Sequence, residues 1–555
     1  MKKFLVLAMA ATLLMAGSAF AVQRNISTTA LVPSPELTFS NGLLPTSTNN
    51  NDTCDIGVTP AATLLLPFFE VETAGAAGAG ANTLFTITNT SRYPQIAHVT
   101  VWTDWSFPVL DFNVFLTGYD VQGINLFDVI ARGIIVQGTP AGTSITTVPG
   151  SPQPAGSTTG ATPLSNTSNP NFILTGGFDV RSSCTGLPGT IFPDLALAIR
   201  NALTTGVGYV SSAATCGTTR IGNDHGTRAI GYVTVDVVSY CSQQLPTDAG
   251  YYSGTAGAML FDNTLIGDYQ QIGPTPAGGG VAGAFDAQGN PMVHIRAVPE
   301  GGVSGAHPGG SVIVPTNLPF TFYDRYTGLT PTWDRRQPLP SLFAARYIQG
   351  GTANFATDYK IWREGVTNNS LTCSTYAANS ALLITSIVRF DEHENSYGFG
   401  VLNCVSPCPT ASITLPETSR NATTASTFPV LTGLDLGGWM YLNLSNASTG
   451  ASGQVAAYTA QRAGFGTVGT AVPPARGSRT TSQNWVIVSM YGSIGANRLA
   501  VDFDAAWLGN GCTNAELSGA VIAPQSQRTG PLVCPVPFTA GNNCGTGTLP
   551  PYSNP

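Results

Sequence analysis

Asp391-Glu392-His393-Glu394 is the densest cluster of ionisable side chains in the chain. Its carboxylates, Asp391, Glu392 and Glu394, suit a hard cation such as calcium if a loop folds them around it. There is no second histidine at helical spacing, so this is not a zinc-protease pattern, and a solvated strand end is the plainer reading. Asp502 and Asp504 are two residues apart and share one face of a strand, where a pair of carboxyl groups could act as acid and base on a glycosidic bond. With Val501, Phe503 and Ala505 between and beside them, the simpler expectation is solvent-facing residues alternating with core.

A serine hydrolase needs a general-base histidine held by a carboxylate. The five histidines, His98, His225, His294, His307 and His393, are scattered, and Asp224-His225 between Gly222 and Gly226 is the best-placed pair. A polar turn is the plainer reading of that pair. Gly-x-Ser-x-Gly never occurs. Gly278 to Gly283 and Gly464 to Gly469 satisfy Gly-x-Gly-x-x-Gly, yet neither joins a strand to a helix, so with 63 glycines chance accounts for both.

Seven tryptophans offer faces on which sugar rings stack: Trp102, Trp105, Trp333, Trp362, Trp439, Trp485 and Trp507. Most lie in apolar strands and are expected in the core. Trp105 and Trp333 stand beside turns and are the expected exposed platforms.

Ten cysteines point to disulfides in an exported chain. Proximity favours one pair among Cys184, Cys216 and Cys241, a small loop between Cys404 and Cys408, and another pair among Cys512, Cys534 and Cys544. No Cys-x2-Cys spacing supports a metal site or haem attachment. No cofactor is expected, calcium being the one ion the acidic cluster would suit.

These groups need a scaffold, and its compartment is set first. Met1 to Ala21 reads as a secretory signal, with Lys2-Lys3, an apolar run and the small-residue exit Ala19-Phe20-Ala21. The expected location is outside a bacterial cell or on its surface, with the periplasm as the alternative. Loss of Lys2 and Lys3 takes the net charge from -7 to -9 and leaves Lys360 as the single lysine. No basic cluster remains to hold a phosphate backbone, so nucleic acid is not an expected partner. No later apolar stretch reaches the roughly 18 residues of a spanning helix, so no transmembrane segment is expected in the mature chain.

The elements read as β-strands. Residues 22–53 form an extended leader, 54–310 a first β-sandwich domain with an inserted loop at 137–171, 311–509 a second, and 510–555 a Cys-bearing Pro/Gly-rich tail. Thr83 to Thr88 and Ala97 to Trp102 alternate apolar and polar side chains as neighbouring strands of a sandwich. Helices are expected at Asn125 to Ala131 and at Asp194 to Thr205, where Leu195, Ile199, Ala202 and Leu203 share a face. From Leu342 onwards the order of apolar run, glycine connector and two alternating strands returns, as a duplication would produce.

Thr83 to Asp104, with its Thr-Ile-Thr-Asn-Thr-Ser followed by Val-Thr-Val-Trp, resembles strands of immunoglobulin-like sandwiches in bacterial surface proteins. Leu65 to Val71, Leu116 to Val121 and Gly231 to Asp236 resemble a family of uncharacterised secreted bacterial proteins with such strands. That family has no known activity, so it implies no functional residue. The expectation is an all-β chain of tandem immunoglobulin-like β-sandwich domains, with one or two short helices and long Gly/Thr-rich loops. Its expected role is structural or adhesive, without catalysis, towards cell-surface glycans or matrix proteins. The competing class is a carbohydrate-binding or carbohydrate-cleaving protein.

Overall fold

The computed structural model describes residues 56–507, leaving out 77–79, 93–94, 136–176, 179–190, 192, 211–214, 239–244, 249–250, 252–262, 274–286, 298–321, 328–335, 341, 353, 366–372, 374–379, 394–395, 400–412, 423–435, 447–481 and 495–496. The expected signal, leader, inserted loop and Cys-bearing tail lie essentially outside the described residues.

The described chain is mostly β. Its strands are β1 (Thr63–Glu72), β2 (Asn82–Asn89), β3 (Gln95–Thr103), β4 (Pro108–Leu116), β5 (Val121–Asn125), β6 (Gly177–Phe178), β7 (Arg228–Val238), β8 (Leu265–Ile272), β9 (Ala287–Pro291) and β10 (Val293–Ile295). They continue with β11 (Leu342–Ile348), β12 (Ala356–Arg363), β13 (Leu382–Asp391), β14 (Ser396–Phe399), β15 (Thr414–Leu415), β16 (Thr418–Ala422), β17 (Gly437–Asn446), β18 (Asn484–Ile494), β19 (Asn497–Asp504) and β20 (Ala506–Trp507). The helices are α1 (Leu126–Arg132), α2 (Pro193–Thr204) and the single turn α3 (Asp324–Thr327).

Both expected helices form, for local reasons. The Asn125 side chain accepts from Phe127 N to open α1, and Gly133 closes it at φ 65°. Pro193 opens α2, which buries Leu195, Ile199, Ala202 and Leu203 as their spacing requires.

The strands make four sheets. The first runs β5-β2-β8-β9, the second β10-β1-β7-β3-β4-β6, the third β16-β12-β18-β19 and the fourth β14-β13-β17-β11-β20. All pairings are antiparallel except β4 with β6. Thr83 to Thr88 and Ala97 to Trp102 do become strands, but of the first and second sheets respectively.

One topology occurs twice. The order β10-β1-β7-β3-β4 recurs as β20-β11-β17-β13-β14, and β5-β2-β8-β9 recurs as β16-β12-β18-β19. Register repeats as well: β2 pairs β8 over eight rungs, from Asn82↔Ile272 to Asn89↔Leu265, and β12 pairs β18 over eight, from Ala356↔Tyr491 to Arg363↔Asn484. The β3–β4 hairpin closes from Trp102 to Pro108, and the β13–β14 hairpin from Phe390 to Ser396, spanning the same number of residues.

The sheets stack in sequence. Leu64, Leu66, Val99, Val101, Val233 and Val235 of the second sheet pack with Phe85 and Ile87 of the first and with α1 and α2. Phe343, Met440 and Leu442 of the fourth pack with Tyr359, Ile361, Val486 and Val488 of the third. Between these apolar layers, β1 and β7 of the second sheet meet β12 and β16 of the third. Both faces of the second sheet are therefore covered, and every residue of β3 is buried. A disulfide, Cys216–Cys373, links the loop after α2 to the segment after β12, across a sequence separation of 157.

Candidate functional site

The layer between the second and third sheets holds an unusual density of buried polar groups. In β7, Asp236 lies in register between Thr63 of β1 and His98 of β3. Its carboxylate accepts from the hydroxyls of Tyr251 (2.6 Å), Tyr323 (2.7 Å) and Thr63, and Arg336 Nε stands 3.4 Å away. All of these side chains are buried. Burial pushes the Tyr251 and Tyr323 phenols far above their ordinary range, and the charge of Asp236 pushes in the same direction, so both remain donors. His98 Nδ1 meets Asn113 Oδ1 at 3.0 Å, whereas its Nε2 is buried without a hydrogen-bond partner. Burial lowers the pKa of His98, with Asn113 and Asp236 opposing, so the imidazole is held neutral.

A second group gathers at the β3–β4 turn. Ser106 sits there at φ 64°, a left-handed conformation uncommon for serine. Its hydroxyl bonds the Tyr232 hydroxyl and accepts from Arg325 Nη2 at 3.1 Å. Arg325 is paired with the Glu417 carboxylate and lies over the Tyr326 ring, 4.5 Å from its centroid. Burial raises the pKa of Glu417, while Arg325 and Ser106 pull it down. Further along, Arg420 bridges Asp358 (2.6 Å) and Glu70 (3.1 Å), and Lys360 Nζ donates to Ser489 Oγ at 3.1 Å. Rings fill the remaining space: Trp102 stacks on Tyr232 (5.6 Å, 4°), whose edge meets Trp362 at 6.0 Å.

The histidine singled out by sequence has a different carboxylate from the expected one. His225 Nε2 lies 3.1 Å from Asp104 Oδ2, which also accepts from Asn223 Nδ2 (2.6 Å). Asp224 instead accepts from Gly226 N and faces Arg220 at 3.7 Å. Ser106, two residues from Asp104, turns its hydroxyl to Tyr232, Arg325 and Glu417, so Ser106 and His225 are engaged by separate partners and do not form a nucleophile–base pair.

Trp105 corrects the expectation of an exposed platform: it is 6% exposed. The turn that carries it docks against the start of β16, where Thr418 N donates to Asp104 O at 3.1 Å, so a residue beside a turn becomes interior. Trp333 lies outside the described residues. Among the described tryptophans Trp439 and Trp485 are the partly buried ones, and Trp439 stacks on Phe390 at 4.3 Å and 12°. The apolar pattern of β17 assigned it to the core, and nothing local in the sequence distinguishes it.

The acidic cluster occupies the β13–β14 turn, in the position that the Asp104 turn has in the first half. Asp391 is buried and its Oδ1 accepts from His393 N (2.8 Å), just as Thr103 Oγ1 accepts from Trp105 N (3.4 Å). Glu392 is exposed, and Glu394 lies outside the described residues. Among the described residues no three His, Cys, Asp or Glu side chains are grouped to hold a metal ion. Asp502 and Asp504 take alternate places in β19 opposite Ser489 and Ile487.

Cys216 pairs with Cys373, a partner that proximity in sequence does not favour. Cys184, Cys241, Cys404, Cys408, Cys512, Cys534 and Cys544 lie outside the described residues. No helix among the described residues is long and apolar enough to cross a membrane. Compared with protein families, with curated proteins and with solved structures, the chain matches none.

Proposed function

We propose that this chain is a secreted or cell-surface bacterial protein with a structural or adhesive role and no catalytic activity. In this reading the repeated topology is a tandem of immunoglobulin-like sandwiches, in keeping with the resemblance carried by Thr83 to Asp104. One observation carries the proposal: the acids, bases and hydroxyls of the buried polar layer are turned on one another between two sheets, where they cement layers. The partners proposed are surface glycans or matrix proteins. A carbohydrate-binding protein is the second reading. With Trp105 interior, it would rest on Trp333 or on the partly buried Phe390–Trp439 pair.

The test is a binding screen of the full chain against immobilised glycans, collagen and fibronectin, with reducing-sugar release measured in parallel. Retention without sugar release is expected. Release of reducing sugar that tracks the purified protein would overturn the non-catalytic reading.

A further inference from the structure

We infer that the layer between the second and third sheets is a one-electron redox site, in which Tyr251 and Tyr323 harbour a stable tyrosyl radical and Asp236 receives its proton. This goes beyond the structural role proposed above and does not depend on what the chain adheres to. The composition of the layer sets it apart from an ordinary apolar core. Tyr251, Tyr323, Tyr326, Tyr232, Trp102 and Trp362 are all buried, and each is a phenol or an indole, the aromatic side chains that yield an electron most readily. Among the described rings of this cluster Phe322 is the one exception.

The rings are also continuous. Tyr251 meets Tyr323 at 6.5 Å between centroids, Tyr323 meets Tyr326 at 6.3 Å, and Tyr326 stacks on Trp102 at 6.0 Å. A second line runs from Tyr323 to Phe322 at 4.7 Å and on to Trp362 at 5.6 Å. Trp362 pairs in register with Trp485 of β18, so the two indoles are cross-strand neighbours on one face of the third sheet. Trp485 alone among the described rings of this cluster is not fully buried, and there an electron leaves for an oxidant outside the fold.

Hydrogen bonding selects where the electron vacancy settles. An oxidised phenol is a strong acid and needs a base within reach. Tyr251 and Tyr323 donate to one carboxylate, that of Asp236, at 2.6 and 2.7 Å. Tyr232 instead meets the Ser106 hydroxyl and accepts from Arg325 at 3.2 Å, and neither partner is a base. Tyr326 lies under the Arg325 cation, which opposes loss of an electron from its ring. Burial and the charge of Asp236 keep the Tyr251 and Tyr323 phenols protonated until the electron goes. The oxidant is a one-electron acceptor of the oxyl-radical class, such as the carbonate radical anion. It becomes carbonate as Trp485 gives up an electron, Trp485 is refilled through Trp362, and the last electron comes from Tyr323 or Tyr251. The phenol O–H bond then breaks, an O–H bond forms on Asp236, and a neutral tyrosyl radical faces a neutral carboxylic acid. The positive charge left behind rests on Arg336, 3.4 Å from that carboxyl group, instead of on a ring.

Pulse radiolysis of the full chain in bicarbonate buffer, which generates carbonate radicals, tests this together with electron paramagnetic resonance of freeze-quenched samples. Tryptophanyl absorption should give way to tyrosyl absorption at a rate independent of protein concentration. The tyrosyl signal should decay slowly and, in heavy water, show a coupled deuteron from the hydrogen bond to Asp236. Tyr251→Phe with Tyr323→Phe should abolish that slow signal, and Trp485→Phe should slow its rise. Should the tyrosine variant be unfolded by circular dichroism, Trp485→Phe and the deuteron coupling of the wild type carry the test. A wild type without a long-lived tyrosyl signal, a signal that survives in the folded tyrosine variant, or a rise unchanged in Trp485→Phe would overturn the inference, since the rings would then only pack. Glycan and matrix-protein retention is measured separately, so absence of adhesion leaves the radical site standing and absence of the radical leaves the structural role standing.

Discussion

At the scale of single residues, the polar layer makes the protein sensitive to charge. Arg336 is 0% exposed and faces Asp236, so Arg336→Met would strand a buried carboxylate with only hydroxyl donors. Breaking a buried pair in this way typically costs about 3–5 kcal/mol, and chemical denaturation should show a loss of that size. Asp236→Asn together with Arg336→Met should recover part of it. His98 sets a pH dependence. Its folded pKa lies below the ordinary 6.5, so above that value neither state binds the proton and stability is fully present. Below 6.5 the unfolded chain takes up a proton that the folded chain refuses, and stability falls by up to about 1.4 kcal/mol per pH unit until the folded pKa is reached. His294, also lowered by burial, acts in the same direction. Glu417 acts oppositely: its pKa is raised above 4.5, so its contribution is present below that pH and fades as pH rises through the folded value. Comparing wild type with His98→Gln isolates the imidazole. The stability difference between them should shift against the wild type as pH drops below 6.5, and a constant difference would contradict a neutral His98.

At the scale of elements, local signals are sufficient for existence and insufficient for address. The cap Asn125 was expected at the start of a helix, and Asn125→Ala should cost about 1 kcal/mol by thermal unfolding, reading out on the first-sheet half. Gly206 follows α2 at φ 71°, and a side chain there would run into Gly222 O, so Gly206→Ala should be more damaging than the same change at Gly226, where a Cβ meets open space. Strand alternation identified β2 because one of its faces is solvated, with Phe85 and Ile87 turned inward. The same rule misjudged Trp105, since alternation and turn proximity describe one sheet and carry no information about a neighbouring sheet covering its turn.

At the scale of the molecule, the Cys216–Cys373 bond closes a very long loop and ties the two halves. For loops of this length the chain-entropy account gives about 4–5 kcal/mol, and native disulfides commonly contribute about 2–5. Cys216→Ser with Cys373→Ser should therefore lower the midpoint of denaturant unfolding substantially and expose the loop after α2 to limited proteolysis first.

The order of apolar run, glycine connector and alternating strand was legible in both halves, because burial of one face writes itself into period-two spacing. Helix faces were legible for the same reason at their own period. What the sequence could not express is which surfaces meet. Thr63, Asp236, Tyr323 and Arg336 are separated by up to 273 residues and share one cluster, and the partner of His225 is Asp104 rather than its neighbour Asp224. Spacing along a chain encodes local geometry. The choice of which buried groups satisfy one another, and of which aromatic pair stays only partly buried, is made only when whole sheets close on each other.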